Sequence, residues 1–178
     1  MADFEETIGY SEVKDRFTSR FGFIPEGFVH LGKNLYSFLN KRLFVHYGNS
    51  GNNHFYGVEH NSKIRLVCNE VPATVKIFKS IRIHGTGKPS KIVLKTSHPY
   101  PQETDIFPDE MKVIEGDIYA PILNDKFSPN VNGSEYQKML SGDPMRSKRL
   151  EIEITYNHLT PFELRGLTIG YIRSPGHP

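Results

Sequence analysis

The chain has 178 residues, a net charge of +2 from 22 basic and 20 acidic residues, 12% aromatic content, no Trp and one Cys. One domain over residues 1–178 is expected at this length, able to bury roughly 70% of its unfolded surface. The charge balance argues against a strongly basic nucleic-acid binder. Cys68 alone excludes an internal disulfide framework or a Cys-based metal cluster, and no apolar run approaches the ~18 residues of a membrane span.

The 15 Gly and 12 Pro residues divide the chain into stretches that suit strands rather than helices. Residues 6–12 and 16–23 favour strands, and Pro25-Glu26-Gly27 is turn chemistry. Residues 35–38 and 43–47 predict a hairpin with a four-residue connection, Leu39 to Arg42. Residues 48–53 are a loop of types that tolerate positive φ. Residues 55–59 and 63–68 are expected to pair, with Pro72 at a turn or edge.

From 75 to 83, Val75, Ile77, Ile81 and Ile83 alternate as an apolar face with Lys79 as the exception; Phe78 falls on the opposite, polar face. Leu150, Ile152, Ile154 and Tyr156 alternate cleanly with Glu151, Glu153 and Thr155, the pattern of a half-buried strand. Leu167, Ile169 and Tyr171 repeat it, and Ile118, Ala120 and Ile122 give a weaker copy. One helix is predicted over 133–141, with Tyr136, Met139 and Leu140 on one side, Ser134 as N-cap and Gly142 beyond the end. Residues 98–108 and 124–147 read as long loops, a common place for contact surfaces. The fold class is therefore all-β: an antiparallel, β-sandwich-like domain with one short helix and long loops.

Catalytic constellations are sparse. No nucleophile elbow, phosphate-binding loop, dinucleotide fingerprint or zinc-protease motif is present. The eight His residues lack the two-apart or four-apart spacings of a metal site, so no metal or other cofactor is expected. Glu5-Glu6 and Glu151/Glu153 are formally paired carboxylates, but the second pair is the wet face of a strand. Cys68 is expected as a buried, inert thiol. Arg146, Lys148 and Arg149 form a small basic patch, read as a solvated strand edge or a contact for an acidic partner. Phe4, Phe17, Phe21, Phe23, Phe28 and Phe38 occupy positions suited to a core, which leaves little for a sugar-stacking platform.

Several ordered pieces carry a resemblance. Glu6-Thr7-Ile8 with Ser11-Glu12 is followed by Phe17, Ser19, Phe23, Pro25 and Glu26. Asn53, Phe55, Tyr56 and Gly57 form a turn, and Ser62, Ile64, Val67, Asn69, Pro72, Lys76 and Phe78 an ordered strand pair. Further on come VIEGDIYAPILND and a closing LRGLTIGYIRS. In this order the pieces resemble tail and virion structural proteins of crAss-like and related short-tailed bacteriophages, of the tail muzzle, nozzle or ring type. One departure is Asn124, where the family element carries Arg before the residue matching Asp125.

The resemblance implies a non-enzymatic structural subunit of the virion tail, made in the host bacterial cytoplasm. Its partners would be copies of itself, as a ring homo-oligomer, and other tail proteins, with no specific nucleic-acid partner. It would be a stand-alone ring or adaptor subunit, or the separately encoded end of a larger tail protein. The structural motif residues are Asn53, Phe55, Tyr56, Gly57, Asn69 and Pro72; the candidate interface residues are Tyr100, Phe107, Phe127, Tyr136, Met139, Arg146 and His177. The alternatives are a carbohydrate-binding module for host recognition and, behind it, a glycan-cleaving enzyme.

Overall fold

The computed structural model describes residues 6–46, 53–97, 101–157 and 161–175. Two compact units stand out, Met1–His60 and Asn61–Pro178.

In the first unit, β1 (Thr7–Ser11) pairs antiparallel with β2 (Arg16–Phe21). A three-stranded meander follows, made of β3 (Gly27–Leu31), β4 (Asn34–Leu39) and β5 (Arg42–Val45). The connection between β4 and β5 is two residues, not the expected four, because Leu39 still pairs with Arg42. Asn40 (φ 51°) and Lys41 (φ 61°) both take positive φ, the geometry that matches the twist of a tight hairpin. Residues 55–59 do not pair with 63–68. They fold on themselves as β6 (His54–Phe55) and β7 (Val58–Glu59), because Tyr56 (φ 55°) and Gly57 (φ 81°) reverse the chain.

The second unit contains two antiparallel sheets. One has the order β11-β10-β15-β8, with β8 (Ser62–Cys68), β10 (Lys91–Thr96), β11 (Gln102–Ile106) and β15 (Leu150–Tyr156). The other is centred on β9 (Lys76–Thr86). That strand pairs with β13 (Asp117–Pro121), β14 (Arg146–Ser147) and β16 (Glu163–Arg173), and β12 (Lys112–Ile114) adds to β13. The one α-helix, α1 (Glu135–Ser141), has the expected Ser134 cap, which accepts a hydrogen bond from Gln137 N. Two stretches expected as loops carry strands as well: β11 lies within 98–108, since Thr104 and Ile106 face the core and pair with β10, and 124–147 holds β14 beside the expected α1.

Phe78, Ile81 and Ile83 from one sheet and Ile92, Leu94, Leu150, Ile152 and Ile154 from the other form one buried cluster. β15 buries its alternate residues as its sequence pattern requires. β9 departs from strict alternation. Opposite it, Gly170 pairs with Ser80 and Tyr171 with Phe78, so Lys79 is an extra residue, a β-bulge. The bulge shifts the phase of the strand and places Phe78 on the same buried side as Ile81 and Ile83. Phe78 therefore belongs to the core, and Lys79, the exception in the alternation, marks the place where the phase changes.

A second irregularity between the same two strands lies near Gly85, where Leu164 pairs with Gly85 and Gly166 with His84. A Cβ at Gly85 would sit 1.9 Å from the Glu163 carbonyl oxygen, a contact with backbone that only displacement of β16 relieves. Gly85→Ala should therefore lower stability by about 3 kcal/mol, the upper range for overpacking. Gly166→Ala, whose Cβ would meet only the His84 ring at 3.5 Å, should stay near wild type. Denaturant unfolding of the two variants checks the contrast.

Candidate functional site

The FYG turn is the organising feature of the first unit. Phe23, the buried hydrophobic residue of this unit, contacts Phe55 (centroids 4.8 Å), Phe21 and Tyr56 (both 5.2 Å) and His46 (5.7 Å). Tyr56 also meets Phe44 edge-to-face at 4.7 Å. At the centre lies Ser37, fully buried on β4, whose Oγ is 2.6 Å from His46 Nε2 and 2.7 Å from the Tyr56 hydroxyl. The left-handed turn at Tyr56-Gly57 brings the Tyr hydroxyl there. A Ser–His contact suggests nucleophilic catalysis, but a hydroxyl with no exposed surface among rings cannot meet a substrate. Its role is to satisfy two polar groups inside an aromatic cluster.

Asn69 and Pro72 are exposed, in a turn where Val71 has φ 48°. The turn is held from beneath by Lys76. This side chain is fully buried, and its Nζ donates to the carbonyls of Glu70, Val71 (3.2 Å) and Thr74 (3.3 Å). Its ammonium also lies 5.6 Å from the Tyr171 ring centroid. The composition pattern placed Lys76 on a wet face; its burial follows from the three carbonyls that receive its three protons.

The 124–147 segment is anchored at several points. Asp125 Oδ1 accepts from the backbone of Glu103 (3.0 Å) and Phe127 (3.2 Å). Buried Lys126 bridges Glu103 (2.6 Å) and Asp105 (3.0 Å). Burial alone pushes the Lys126 ammonium down, but its bonds to Glu103 and Asp105 outweigh that and raise it. Asn124, at the position where the family element has Arg, donates from Nδ2 to Leu140 O at the end of α1. Among the candidate interface residues, Phe107, Phe127 and Tyr136 are exposed. Met139 is buried, so it serves the core, and Arg146 is half-buried, its backbone N donating to Gln102 Oε1. Tyr100 and His177 lie outside the described residues, as does Phe4.

Two other side-chain groups invite a chemical reading that sequence spacing does not reveal. Asp117 Oδ2 faces His84 Nδ1 at 3.1 Å, and His84 Nε2 faces Thr168 Oγ1 at 2.9 Å, the order of a nucleophile triad. The same Oδ2, however, also accepts from Arg82 Nε (2.8 Å) and Nη2, and this Arg bond holds the Asp117 carboxyl below its usual range. The three side chains come from neighbouring strands β13, β9 and β16, where they stitch the sheet across its polar face.

The second group is a shallow groove of about 400 Å³ on the outside of β8-β15-β10, lined by Arg65, Val67, Val93, Lys95, Glu151 and Glu153 among others. Glycoside cleavage needs one carboxyl raised to act as an acid. Glu153 instead is held low by its bond to Arg65, and Glu151 lies 3.4 Å from Arg149.

The expected aromatic core is only partly realised. Phe23 is buried and Phe21 half-buried, while Phe28, Phe38 and, at 73%, Phe17 are exposed. Phe17 packs edge-on against Tyr10 at 5.3 Å. Cys68 is free and half-buried against the core rather than fully buried. No group of three or more metal-ligating side chains occurs among the described residues, and no described helix is long and apolar enough to cross a membrane.

The most elaborately built clusters among the described residues thus hold turns and segments in place. Residues 50–125 match the family model of the Crassvirus muzzle protein C-terminal domain. Over these residues the chain is similar to that muzzle-protein domain, the kind of similarity that its ordered sequence pieces led one to expect. The match contains all six motif residues from Asn53 to Pro72 and extends from β6 through β13. A comparison with curated proteins returns no match.

Two outcomes test these roles. Burial holds the His46 imidazole below its ordinary pKa of 6.5, so the unfolded chain takes up the proton more readily than the folded one. The stability of the first unit should therefore be full above pH 6.5 and fall as the pH drops through the lowered value. Hydrogen exchange of the described residues 6–46 across pH 5 to 8 (roughly the window of His titration) checks this, and His46→Asn should flatten the response. Lys76→Met, which leaves three carbonyls without their donor, should cost about 3 kcal/mol. Faster exchange at 69–74 together with a lower unfolding midpoint would establish it.

Proposed function

We propose that this chain is a non-enzymatic structural subunit of a bacteriophage tail, assembling with copies of itself and with other tail proteins. The observation that carries the reading is the 50–125 match to a muzzle-protein domain. Exposed apolar surface adds to it. Among the described residues of the first unit, Ile8, Phe17, Leu31, Phe38, Leu43, Val45 and Val58 are all exposed, whereas Phe23 is the hydrophobic residue that is buried. A unit with so small a core gains most from covering such surface with protein. In the second unit, exposed Phe107, Phe127 and Tyr136 remain the contact candidates.

One observation favours a second reading. The exposed Tyr10–Phe17 pair offers two rings at the β1–β2 hairpin, the kind of apolar platform on which a sugar face stacks. A glycan array with the isolated chain and a Tyr10→Ala, Phe17→Ala variant addresses it.

A density map of the intact particle tests the leading reading. The chain is expected within the tail, with its exposed apolar residues covered by neighbouring chains. A particle in which the chain is absent from the tail, or in which those residues face solvent, would count against it.

A further inference from the structure

We propose that the outer edge of β8 takes up an extended segment of another protein as an added strand, one with aliphatic side chains on its inner face and acidic ones on its outer face. That the partner is another tail protein rests on the tail-subunit reading; the edge itself stands on the geometry of the second unit.

The first sheet of that unit has two edge strands, β11 and β8. The chain covers the first itself. The Lys126 amide donates to the Glu103 carbonyl (2.8 Å), and Asp125 Oδ1 accepts from the Glu103 amide (3.0 Å). Along residues 63–68, β15 is the strand with which the backbone pairs among the described residues. The core is open at that margin. Leu150, Ile152 and Ile154 of β15 are at most 2% exposed, but their partners on β8 are not closed off. Cys68 and Leu66 are half-buried against the core, and Ile64 is 38% exposed. A strand laid along β8 would cover this row with its own alternate side chains and join the sheet through main-chain hydrogen bonds.

Charge selects the occupant. The outward row of β8 is Lys63, Arg65 and Val67, all exposed. The two cations share one carboxylate, Glu153, at 3.5 and 2.6 Å, and the next one on β15, Glu151, faces Arg149. Positive charge is therefore in excess along the outer flank. Carboxylates two residues apart on an incoming strand would meet Lys63 and Arg65, while the residues between and beside them cover Ile64 and Leu66. β15 already meets β8 from the other side in this manner, with Ile152, Glu153 and Ile154 opposite Leu66, Arg65 and Ile64. A second β8 is the wrong occupant. It would bring Lys63 and Arg65 of both copies onto one face of the joined sheet, where like charges oppose pairing.

Titration of the full chain with a labelled peptide of the sequence 150–156, in which Glu151 and Glu153 alternate with aliphatic residues, tests the proposal. The comparison peptide carries Glu151→Lys and Glu153→Lys. The wild type should bind the acidic peptide saturably and about tenfold more tightly than the basic one, because opposite charges across a strand pair stabilise it and like charges do the reverse. Hydrogen exchange should slow at the alternate amides of 63–68 that point away from β15. In a Lys63→Glu, Arg65→Glu double variant the preference should reverse. Should that variant lose the wild-type circular dichroism spectrum, the two peptides against the wild type decide the matter. Equal affinity for both peptides, or no saturable binding with slowed exchange at 63–68, overturns the proposal. Outward amides already protected in the dilute chain alone also overturn it, since the chain's own residues then cover the edge. Protection that arises on concentrating the chain alone does the same, by making a second copy the occupant. Each of these outcomes leaves the tail reading to be judged separately, by the presence or absence of the chain in the particle tail.

Discussion

The second unit is organised around one backbone irregularity, the extra residue at Lys79. β9 is the strand to which β13, β14 and β16 all pair, so its phase sets what that whole sheet presents inward. Without the bulge, Phe78 would point to the same side as Ser80 and Arg82, and strict alternation would set it on the polar face. With the bulge, Phe78, Ile81 and Ile83 all join the core, and Arg82 and His84 remain on the far side to bind Asp117 and Thr168. The same shift directs Lys76 inward, beneath the turn that it holds. One inserted residue thus separates an apolar face from a polar ladder and supplies a donor for three carbonyls.

The two units reach stability by different routes. The second closes a continuous aliphatic cluster between two sheets. In the first, short strands leave few inward positions, and rings do the filling: Phe21, Phe23, Phe44, Phe55 and Tyr56 meet one another at offset or edge-on angles around the Ser37 hydroxyl. Aromatic side chains suit this because each brings a large area on few rotatable bonds. The cost is specificity of geometry. A Tyr hydroxyl and an imidazole inside such a cluster need a partner, which is why a serine occupies the middle of β4.

Much of this was legible in the sequence where a period ran unbroken. β15 alternates from Leu150 to Tyr156, and its burial follows residue by residue. The helix could be placed because Ser134 and Gly142 bracket it, although only Met139 of its three apolar residues is buried. What escaped depended on contacts between distant segments. The core role of Phe78 needs the pairing of β9 with β16 to be seen, though the misplaced Lys79 signalled it. Lys76, Asp117 and Ser37 look like surface residues until the carbonyls, guanidinium or ring that satisfy them are brought alongside from elsewhere in the chain. β11 was obscured by Pro101, Asp105 and Pro108, turn-forming types that here flank or line a strand. The Phe55-Tyr56-Gly57 turn was legible, but its closing on itself as a hairpin at 54–59 was not, because a non-glycine, Tyr56, takes positive φ. The exposure of Phe38 followed the same logic in reverse: apolar types suggest a core, but Phe38 lies on the sheet face opposite buried Ser37, and Phe28, in the row of Ser37, is itself 47% exposed.

The disposition of polar groups bears most directly on function. A catalytic centre keeps an acid, base or nucleophile poised with unspent capacity. In this chain the best-placed polar groups are engaged: Lys76 by carbonyls, Asp125 by two backbone amides, Lys126 by two carboxylates, Asp117 by Arg82 and Glu153 by Arg65. Each such contact fixes one segment against another. Among the described residues, the first unit exposes Ile8, Phe17, Leu31, Phe38, Leu43 and Val45 as well as charged side chains, and in the second unit charges on one sheet are paired across neighbouring strands. Apolar surface of that kind gains free energy when it is covered. That gain is the one on which the proposed tail-subunit reading draws, alongside the match of residues 50–125 to a muzzle-protein domain.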